Sequence, residues 1–516
     1  MDLGEKFRRA KAWFLENRTR QVLLAVLVVT LLVRLYYFWM TKGQALWYDE
    51  GEYLIRARHL VTGLPETGYW WGRPPLFTWL TSVFFLFGTV GGELLTRVFL
   101  AAASVGSVWM MFLLGKELFD SEEVGLLSAV FVSASWILLF LSFRILVEVP
   151  LFFLLLLSAW FFVKYDKTGR AKWFWLAFAG AGLSFLMKWT AGMLLVIFPV
   201  YLLLKHRMRL ARMRHERWLF VAVLLAAVGY VWYSLKKTGG VLYAFERIGL
   251  FTLTGGELSG VIWQQIGFVQ GFVGTWWLWV IAASLVWAAL QVALHYGFIF
   301  REKRTRAFAI LLLWSLLFFA AFVFIKAWEN RYVIPLLIPF YLLTAVLVVD
   351  IARKLPEYRQ MILAVIVVLV LIGSYGQWQQ GSALIEDKFT GYRELQEAGQ
   401  WIQEHSERGD IIMSAGRPQL THYTELENLQ HTYNLTSELA LIREHQVKYS
   451  VISNWEKSPE WLYGYLLDGQ GGDYFVPVFQ SVRDYGGGRR MFAVVFETTE
   501  LARQAPSSSS QEGIAS

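Results

Sequence analysis

The sequence contains no cysteine, which excludes disulfide bonds, thiolate metal sites and cysteine nucleophiles. It also lacks a glycine-rich phosphate loop or nucleotide-binding unit, which argues against a nucleotide ligand. The eight histidines show no metal-ligand spacing such as H-E-x-x-H. No internal repeat is visible. These absences exclude several common kinds of soluble enzyme.

Apolar residues, in contrast, are abundant. The 516-residue chain is 56% hydrophobic and carries 25 Trp, 23 Tyr and 39 Phe. Long uncharged runs recur through most of the sequence, which indicates a polytopic membrane protein. The formal charge is +8, but the basic residues sit in short clusters between apolar runs. This arrangement is typical of cytoplasmic loops rather than of a nucleic-acid-binding surface.

The apolar runs predict about eleven transmembrane helices, each near the 20-residue requirement. They begin near residues 21, 95, 123, 149, 172, 189, 217, 273, 306, 331 and 360. A shorter run, residues 74–88, starts at a Pro-Pro pair. We place it along the outer membrane surface, because counting it as a span would move the basic loop 205–217 outside.

The positive-inside rule then gives the domain organisation. Residues 1–20 form a basic cytoplasmic segment. Residues 21–376 form an all-α polytopic membrane domain with a large first external loop, residues 41–94. Residues 377–501 alternate helical patterns with short β-rich runs, which predicts a small extracytoplasmic α/β domain. Residues 502–516 are a polar, disordered tail.

This topology places polar residues from distant parts of the sequence at the outer membrane surface. They are Asp49, Glu50, Glu52, Arg73, Arg144, Glu148, Lys188, Glu329, Asn330 and Arg331. The cations are suited to hold a phosphate, with arginine able to make bidentate contacts. A carboxylate can act as general base toward a hydroxyl. The set therefore indicates a site for an anionic, membrane-borne substrate.

Each of these charges also has a purely structural interpretation. Charges at the ends of spans are commonly solvated or snorkelling. Arg144 and Glu148 are spaced i,i+4 and can neutralise each other on a helix end. Lys188 is harder to dismiss, because the residues on both sides of it are apolar.

Five motifs, in order, resemble the polyprenyl-phosphate-sugar glycosyltransferases of family 39, which have the GT-C fold. They are "YDEGEY", "GRPPLFTW", "FRILVEVPLF", "LSFLMKW" and "ENRYVIPLLIP". This family includes the protein O-mannosyltransferases and the lipid A aminoarabinose transferases. The resemblance implies inverting transfer of one hexose or pentose from a dolichyl or undecaprenyl phosphate to an acceptor hydroxyl. It covers roughly residues 20–350.

The resemblance also implies roles for individual residues. Asp49 resembles the family's catalytic carboxylate, with Glu50 as its companion and Glu148 as the second carboxylate. The implied contacts with the lipid phosphate are made by Arg73, Lys188 and Arg331.

Two positions depart from the family pattern. Gly72 stands where aminoarabinose transferases have glutamate, and Arg73 stands where eukaryotic O-mannosyltransferases have histidine. A divalent metal cofactor is therefore left open, as are the sugar and the oligomeric state. Protein O-glycosylation is the first interpretation, with a glycolipid or lipid A-like acceptor as the alternative. An alternative function outside the enzymes is a lipid-linked-sugar transporter or flippase. The paired broken helices typical of transporters are not evident in the sequence.

Overall fold

The computed structural model describes residues 13, 16–67, 73–206, 255–299, 301–324, 329–467, 473–485 and 488–504. The predicted span near residue 217 and Gly72 lie outside these residues. So do most of the predicted segments 1–20 and 502–516.

The first part of the chain is helical. In chain order its helices are α1 (Arg18–Thr41), α2 (Tyr48–Thr62), α3 (Leu76–Ser82), α4 (Gly88–Phe119), α5 (Glu122–Ala134), α6 (Trp136–Leu141), α7 (Glu148–Thr168), α8 (Ala171–Met187), α9 (Leu194–Lys205), α10 (Gly255–Val273), α11 (Thr275–Leu294), α12 (Lys303–Phe324), α13 (Leu337–Lys354) and α14 (Arg359–Lys388). Short 3₁₀ segments occupy Val83–Phe87, Trp189–Met193, Tyr296–Phe298, Asn330–Leu336 and Pro356–Tyr358.

The last part of the chain mixes helices and strands. Its elements are α15 (Arg393–His405), β1 (Ile411–Ser414), α16 (Arg417–Thr424), β2 (Glu427–Leu429), α17 (Leu435–His445), β3 (Tyr449–Ser453), α18 (Glu460–Leu467), β4 (Phe475–Tyr485), β5 (Gly488–Thr498) and α19 (Glu500–Arg503). The fold class predicted from the sequence, a helical membrane domain followed by a small α/β domain, is confirmed.

The chain divides into two compact units. The helical unit comprises Met1–Trp39, Phe99–Phe143 and Val147–Leu384. The mixed unit comprises Met40–Val98, Arg144–Leu146 and Ile385–Ser516. The first-loop helix α2 and the α/β elements thus belong to the same unit.

Seven helical stretches among the described residues are long and apolar enough to cross a membrane. Two shorter apolar helices, Ala171–Met187 and Trp189–Lys205, accompany them. Several helices start close to predicted positions, as at Glu122, Glu148 and Arg359. Helix α10 was not predicted, because its sequence mixes Glu and Gln with apolar residues. The number of spans stays a prediction.

Aromatic rings fill the interior of the helical unit. Phe162 and Phe198 stack with their centroids 4.0 Å apart, and both are fully buried. The Ser158 hydroxyl donates to the carbonyl of Ala177 at 2.7 Å, joining α7 to α8. Such internally satisfied polar groups are what a helix interface in lipid requires.

The sheet of the mixed unit has the strand order β2-β1-β3-β5-β4. β1 pairs in parallel with β2 and with β3, whereas β5 pairs antiparallel with β3 and with β4. In register, Ile412 lies opposite Tyr449 and Val451 opposite Val495. These four side chains form part of one buried apolar cluster with the α15 residue Leu395.

The first-loop residues are closely bonded to the α/β residues within this unit. Gln44 Nε2 donates to the Lys388 carbonyl at 2.6 Å, and the Leu46 N–H donates to the Tyr423 hydroxyl at 2.8 Å. The buried Arg58 guanidinium donates to the carbonyl at the α16 residue Thr421, at 2.9 Å. The α/β elements therefore position the helix that carries Asp49.

Candidate active site

Helix α2 begins at a point that its own sequence fixes. Trp47 precedes the helix, and its backbone N–H donates to Glu50 Oε2 at 2.7 Å, half of a capping box. Glu50 also accepts from the Ile145 N–H at 2.6 Å and from the Arg144 guanidinium. Glu50 is fully buried. Its geometry favours a role in holding the start of α2, although its predicted catalytic role stays a prediction.

Arg144 completes this support. Its guanidinium lies 3.9 Å from the centre of the Trp47 ring, a cation–π contact. Because Arg144 pairs with Glu50, and Glu148 pairs with Lys188, each member of the i,i+4 pair has another partner. The interpretation that these two charges simply neutralise each other is therefore wrong.

Asp49 lies in the first turn of α2, next to Arg73. The distance between Arg73 Nη2 and Asp49 Oδ1 is 2.5 Å. The same nitrogen lies 2.7 Å from Glu52 Oε2, and the guanidinium lies 4.8 Å from the centre of the Tyr53 ring. Burial lowers the pKa of Arg73, but Tyr53, Asp49 and Glu52 outweigh it and raise that pKa above its ordinary value. Arg73 is thus a permanent cation held against two acids.

The side chain of Asp49 keeps 27% of its surface exposed, whereas that of Glu52 keeps 9%. Glu52 is also bound by Arg56 at 2.9 Å, one helical turn along α2. Of the two carboxylates on Arg73, Asp49 is therefore the more accessible to a substrate, and Glu52 belongs to the support around it.

A second group of charges lies in the helical unit. Glu148 is the first residue of α7, Lys188 follows α8, and Arg331 lies in the 3₁₀ segment before α13. Lys188 Nζ is 2.8 Å from Glu148 Oε1, and Arg331 Nε is 3.8 Å from the same oxygen. The structure brings these three of the ten predicted surface residues into contact, because the start of α7, the end of α8 and the 3₁₀ segment before α13 meet there.

Glu148 is buried, yet its carboxylate is incompletely satisfied. Glu148 is only 3% exposed, and its Oε2 has no hydrogen-bond partner among the described residues. Arg331 also pairs with Glu329. The Lys188 ammonium lies 4.1 Å from the centre of the Tyr332 ring. Two cations, Lys188 and Arg331, therefore lie beside two acids, Glu148 and Glu329, in a partly buried recess. Lysine and arginine in such a recess are suited to bind an anionic group such as a phosphate.

The donor sets do not fit a metal ion. Within the described ranges, no group of three or more His, Asp or Glu side chains is arranged to hold one. The first-loop acids are instead bound to Arg73 and Arg56.

Sequence reasoning missed the α/β residues that lie near the start of α2. The amide of the α16 residue Gln419 lies 3.4 Å from Glu456 Oε1 and 3.0 Å from the backbone nitrogen of Tyr48. Nothing in the local sequence around Glu456 indicates this position. Only the pairing of α16 with α2 brings it there.

Comparison with known proteins agrees with this architecture. Residues 72–233 match the family model described as dolichyl-phosphate-mannose-protein mannosyltransferase. An uncharacterised protein from Aquifex aeolicus is 24% identical over 320 residues. That match covers 60% of this chain and 61% of the relative, so the chain spans about three fifths of the relative's length.

Solved structures share the fold at low sequence identity. The crystal structure of ArnT from Cupriavidus metallidurans bound to undecaprenyl phosphate has a TM-score of 0.61 at 14% identity, covering 95% of this chain and all of that one. The archaeal oligosaccharyltransferase AglB from Archaeoglobus fulgidus, in complex with an inhibitory peptide and a dolichol-phosphate, has a TM-score of 0.57 at 12% identity. That similarity covers 93% of this chain and 76% of AglB.

These findings confirm the resemblance predicted from the sequence. The chain is a multi-pass membrane protein with the fold of the GT-C glycosyltransferases.

Proposed function

We propose that this protein transfers a single sugar from a polyprenyl phosphate carrier to an acceptor hydroxyl on the extracytoplasmic side of the membrane. The Asp49–Arg73 pair at the start of α2 carries the proposal. A partly exposed carboxylate, oriented by a fixed cation on a supported helix end, is suited to act as a general base.

In the proposed reaction, the acceptor oxygen forms a bond to the anomeric carbon as the bond from that carbon to the phosphate oxygen breaks. Asp49 takes the proton of the acceptor hydroxyl, and the bonding electrons leave with the polyprenyl phosphate. Attack on the face opposite the leaving phosphate inverts the anomeric centre. The product is one glycoside and one free lipid phosphate.

The cations stabilise the phosphate, whose charge grows in the transition state. We assign this role to Arg73, Lys188 and Arg331. The recess around Glu148 supports the assignment of the last two, because both cations lie within 4 Å of the same Glu148 oxygen and so could contact one phosphate together. The unpartnered Oε2 of Glu148 is suited to accept a hydrogen bond from a donor-sugar hydroxyl.

A hydroxyl on a protein is the proposed acceptor, supported by the description of the matching family model. Mass spectrometry of surface proteins and of membrane glycolipids, with and without this protein, tests that choice. A mass shift confined to glycolipids would replace the protein acceptor with a lipid one.

The enzymatic proposal is tested with the purified protein in proteoliposomes and labelled mannose, glucose and aminoarabinose donors on undecaprenyl and dolichyl phosphate. We expect Asp49→Asn to abolish donor turnover, because the base is lost, while donor binding persists. The fold should survive, because Arg73 keeps Glu52 as a partner. Glu66→Gln, a change in the same external loop, should turn over like the wild type.

Full turnover by Asp49→Asn would remove the proposed base. Absence of turnover by the wild type with every donor would remove the proposed function.

A further inference from the structure

Two buried oxygens in the helical unit lack a hydrogen-bond partner and lie in the same small recess. Neither Glu148 Oε2 nor the Thr190 hydroxyl has a partner among the described residues. Both residues line one cavity of about 230 Å³, together with Lys188 and Arg331. A buried polar atom without a partner costs free energy. The two oxygens therefore indicate a polar group of a ligand that enters this recess.

The surrounding structure leaves these two oxygens to be satisfied by a ligand. Glu148 begins α7, and Thr190 lies in the 3₁₀ segment Trp189–Met193. The Lys188 ammonium donates to the other carboxylate oxygen, Glu148 Oε1, at 2.8 Å. The rest of the recess is lined by apolar side chains that are at most 3% exposed and can form no hydrogen bond, namely Leu151, Phe152, Leu155 and Ile334.

The chemistry of the two oxygens limits the group that can satisfy both. A carboxylate oxygen only accepts a hydrogen bond, whereas a threonine hydroxyl can donate one. A single atom that satisfies Glu148 and Thr190 together must donate to the first and accept from the second. A hydroxyl does both. An ammonium or amide N–H only donates, and a methylene does neither.

The two cations indicate where this hydroxyl lies on the ligand. Lys188 and Arg331 keep 14% and 19% of their side-chain surface exposed, whereas Glu148 keeps 3%. A phosphate bound to the cations thus lies toward the opening, and the group beside the phosphate reaches the buried oxygens. In a glycosyl phosphate the phosphate is on the anomeric carbon, and the nearest hydroxyl is the one on the adjacent carbon, C2.

We propose that Glu148 and Thr190 bind the 2-hydroxyl of the donor sugar, so that the protein selects sugars with a free hydroxyl at C2. The inference rests on the proposed function and names the class of donor within it. Mannose, glucose and aminoarabinose belong to this class, whereas 2-deoxy and 2-acetamido sugars do not. An N–H in place of the hydroxyl can donate to Glu148 but cannot accept from Thr190.

The same contact bears on the rate of transfer. Positive charge develops on the sugar ring as the bond to the phosphate breaks, and hydrogen bonds to the 2-hydroxyl strengthen in such transition states. The negative charge on Glu148 favours this step through the 2-hydroxyl, and Thr190 keeps the hydroxyl turned toward that carboxylate. Loss of the contact should therefore lower kcat as well as raise KM.

The test uses the proteoliposome assay with three donors on undecaprenyl phosphate. They carry the sugar that the wild type turns over, its 2-deoxy analogue and its 3-deoxy analogue. We expect the wild type to turn over the 2-deoxy donor at least tenfold less efficiently than the parent, because the buried oxygens then stay unpaired. Thr190→Val keeps the shape of the side chain and removes the hydroxyl. It should lower kcat about tenfold for the parent and 3-deoxy donors and leave the 2-deoxy donor unchanged.

Two control variants accompany this comparison. Thr190→Ser keeps the hydroxyl and should recover most of the wild-type rate with the parent donor. Thr168→Val changes an exposed threonine at the end of α7, whose hydroxyl donates to the Lys164 carbonyl at 2.7 Å, and should behave like the wild type. An equal loss by Thr190→Val with all three donors would overturn the inference, while turnover by the wild type would leave the proposed function intact.

Binding of undecaprenyl phosphate without a sugar distinguishes a hydroxyl contact from a phosphate contact. Its stabilisation of the protein is measured by thermal unfolding in detergent. We expect the lipid to stabilise Thr190→Val as much as the wild type, because Lys188 and Arg331 hold the phosphate in both. A smaller stabilisation of Thr190→Val would show that Thr190 binds the phosphate instead, and would also overturn the inference.

Discussion

At the scale of single residues, the buried carboxylate of Glu148 depends on neighbouring cations to balance its charge. It is 3% exposed and balances both Lys188 and Arg331. Removing one partner of a buried charge group leaves uncompensated charge, which commonly costs about 3–5 kcal/mol. The two cations are themselves partly exposed, at 14% and 19% of their side-chain surface, so solvent reduces this cost.

We therefore expect Glu148→Gln to lower the stability of the protein by about 2–3 kcal/mol, measured by thermal unfolding in detergent. Added undecaprenyl phosphate should restore part of the loss, because its phosphate supplies the missing negative charge. Undecaprenol, which lacks the phosphate, should not.

The matched control is Glu123→Gln. Glu123 pairs with Arg353 at 2.9 Å, with both side chains more than 40% exposed, so the change should cost less than about 1 kcal/mol. Equal rescue of Glu148→Gln by undecaprenol and by undecaprenyl phosphate would contradict the phosphate assignment of Lys188 and Arg331.

Sequence reasoning found the residues at this scale but not all their pairings. It placed Glu148, Lys188 and Arg331 on one predicted surface with seven other residues, because each follows or precedes an apolar run. It could not tell that Arg144 binds Glu50 rather than Glu148. Spacing along a helix predicts neighbours only where a helix exists, and Arg144 lies in the turn before α7.

At the scale of elements, α2 and α16 approach each other unusually closely. A Cβ at Gly51 would lie 2.9 Å from the backbone carbon of Pro418 and 3.0 Å from the nitrogen of Gln419. Both atoms belong to the backbone, so the helix itself would have to move. Glycine at position 51 is what allows the α/β elements to lie against α2.

Gly51→Ala should therefore destabilise the protein by about 1–3 kcal/mol and reduce donor turnover, since it displaces Gln419 from the start of α2. Thermal unfolding and the proteoliposome assay measure the two effects. Gly260→Ala is the control: Gly260 lies in α10 with nothing within 4 Å of the added carbon, so the change should be neutral or stabilising by up to about 1 kcal/mol. Wild-type thermal stability and donor turnover in Gly51→Ala would contradict the close packing of α2 against α16.

Most elements could be predicted, because long apolar runs leave few alternatives in a membrane. The helix starts at Glu122 and Glu148 lie within a residue of the predicted ones. The elements that escaped include β2 and α10. The three-residue strand β2 is too short to show alternation, and α10 carries Glu257, Gln264 and Gln265 within an otherwise apolar sequence.

At the scale of the whole molecule, the sequence predicted an α/β domain but not its relation to the first loop. That relation depends on contacts between residues more than 300 positions apart, such as Leu46 with Tyr423 and Arg58 with Thr421. No local pattern encodes such pairings. They make the first loop and the α/β elements a single compact unit.

The orientation of the chain in the membrane is the assumption on which the proposed chemistry depends. Charge bias in the loops predicts that the start of α2, the residues before α13 and the α/β elements all face the outside. The chain has no cysteine, so single cysteines can be introduced and labelled without a background signal.

The most direct test is labelling of intact cells with a membrane-impermeant thiol reagent, using Tyr48→Cys, Glu329→Cys, Glu444→Cys and Lys303→Cys. Tyr48 is 37% exposed, and the Lys303 side chain is 63% exposed. We expect positions 48, 329 and 444 to react from outside, and position 303 only after the membrane is permeabilised. Reaction of positions 48 and 329 from opposite sides would show that Asp49 and Arg331 cannot serve one reaction.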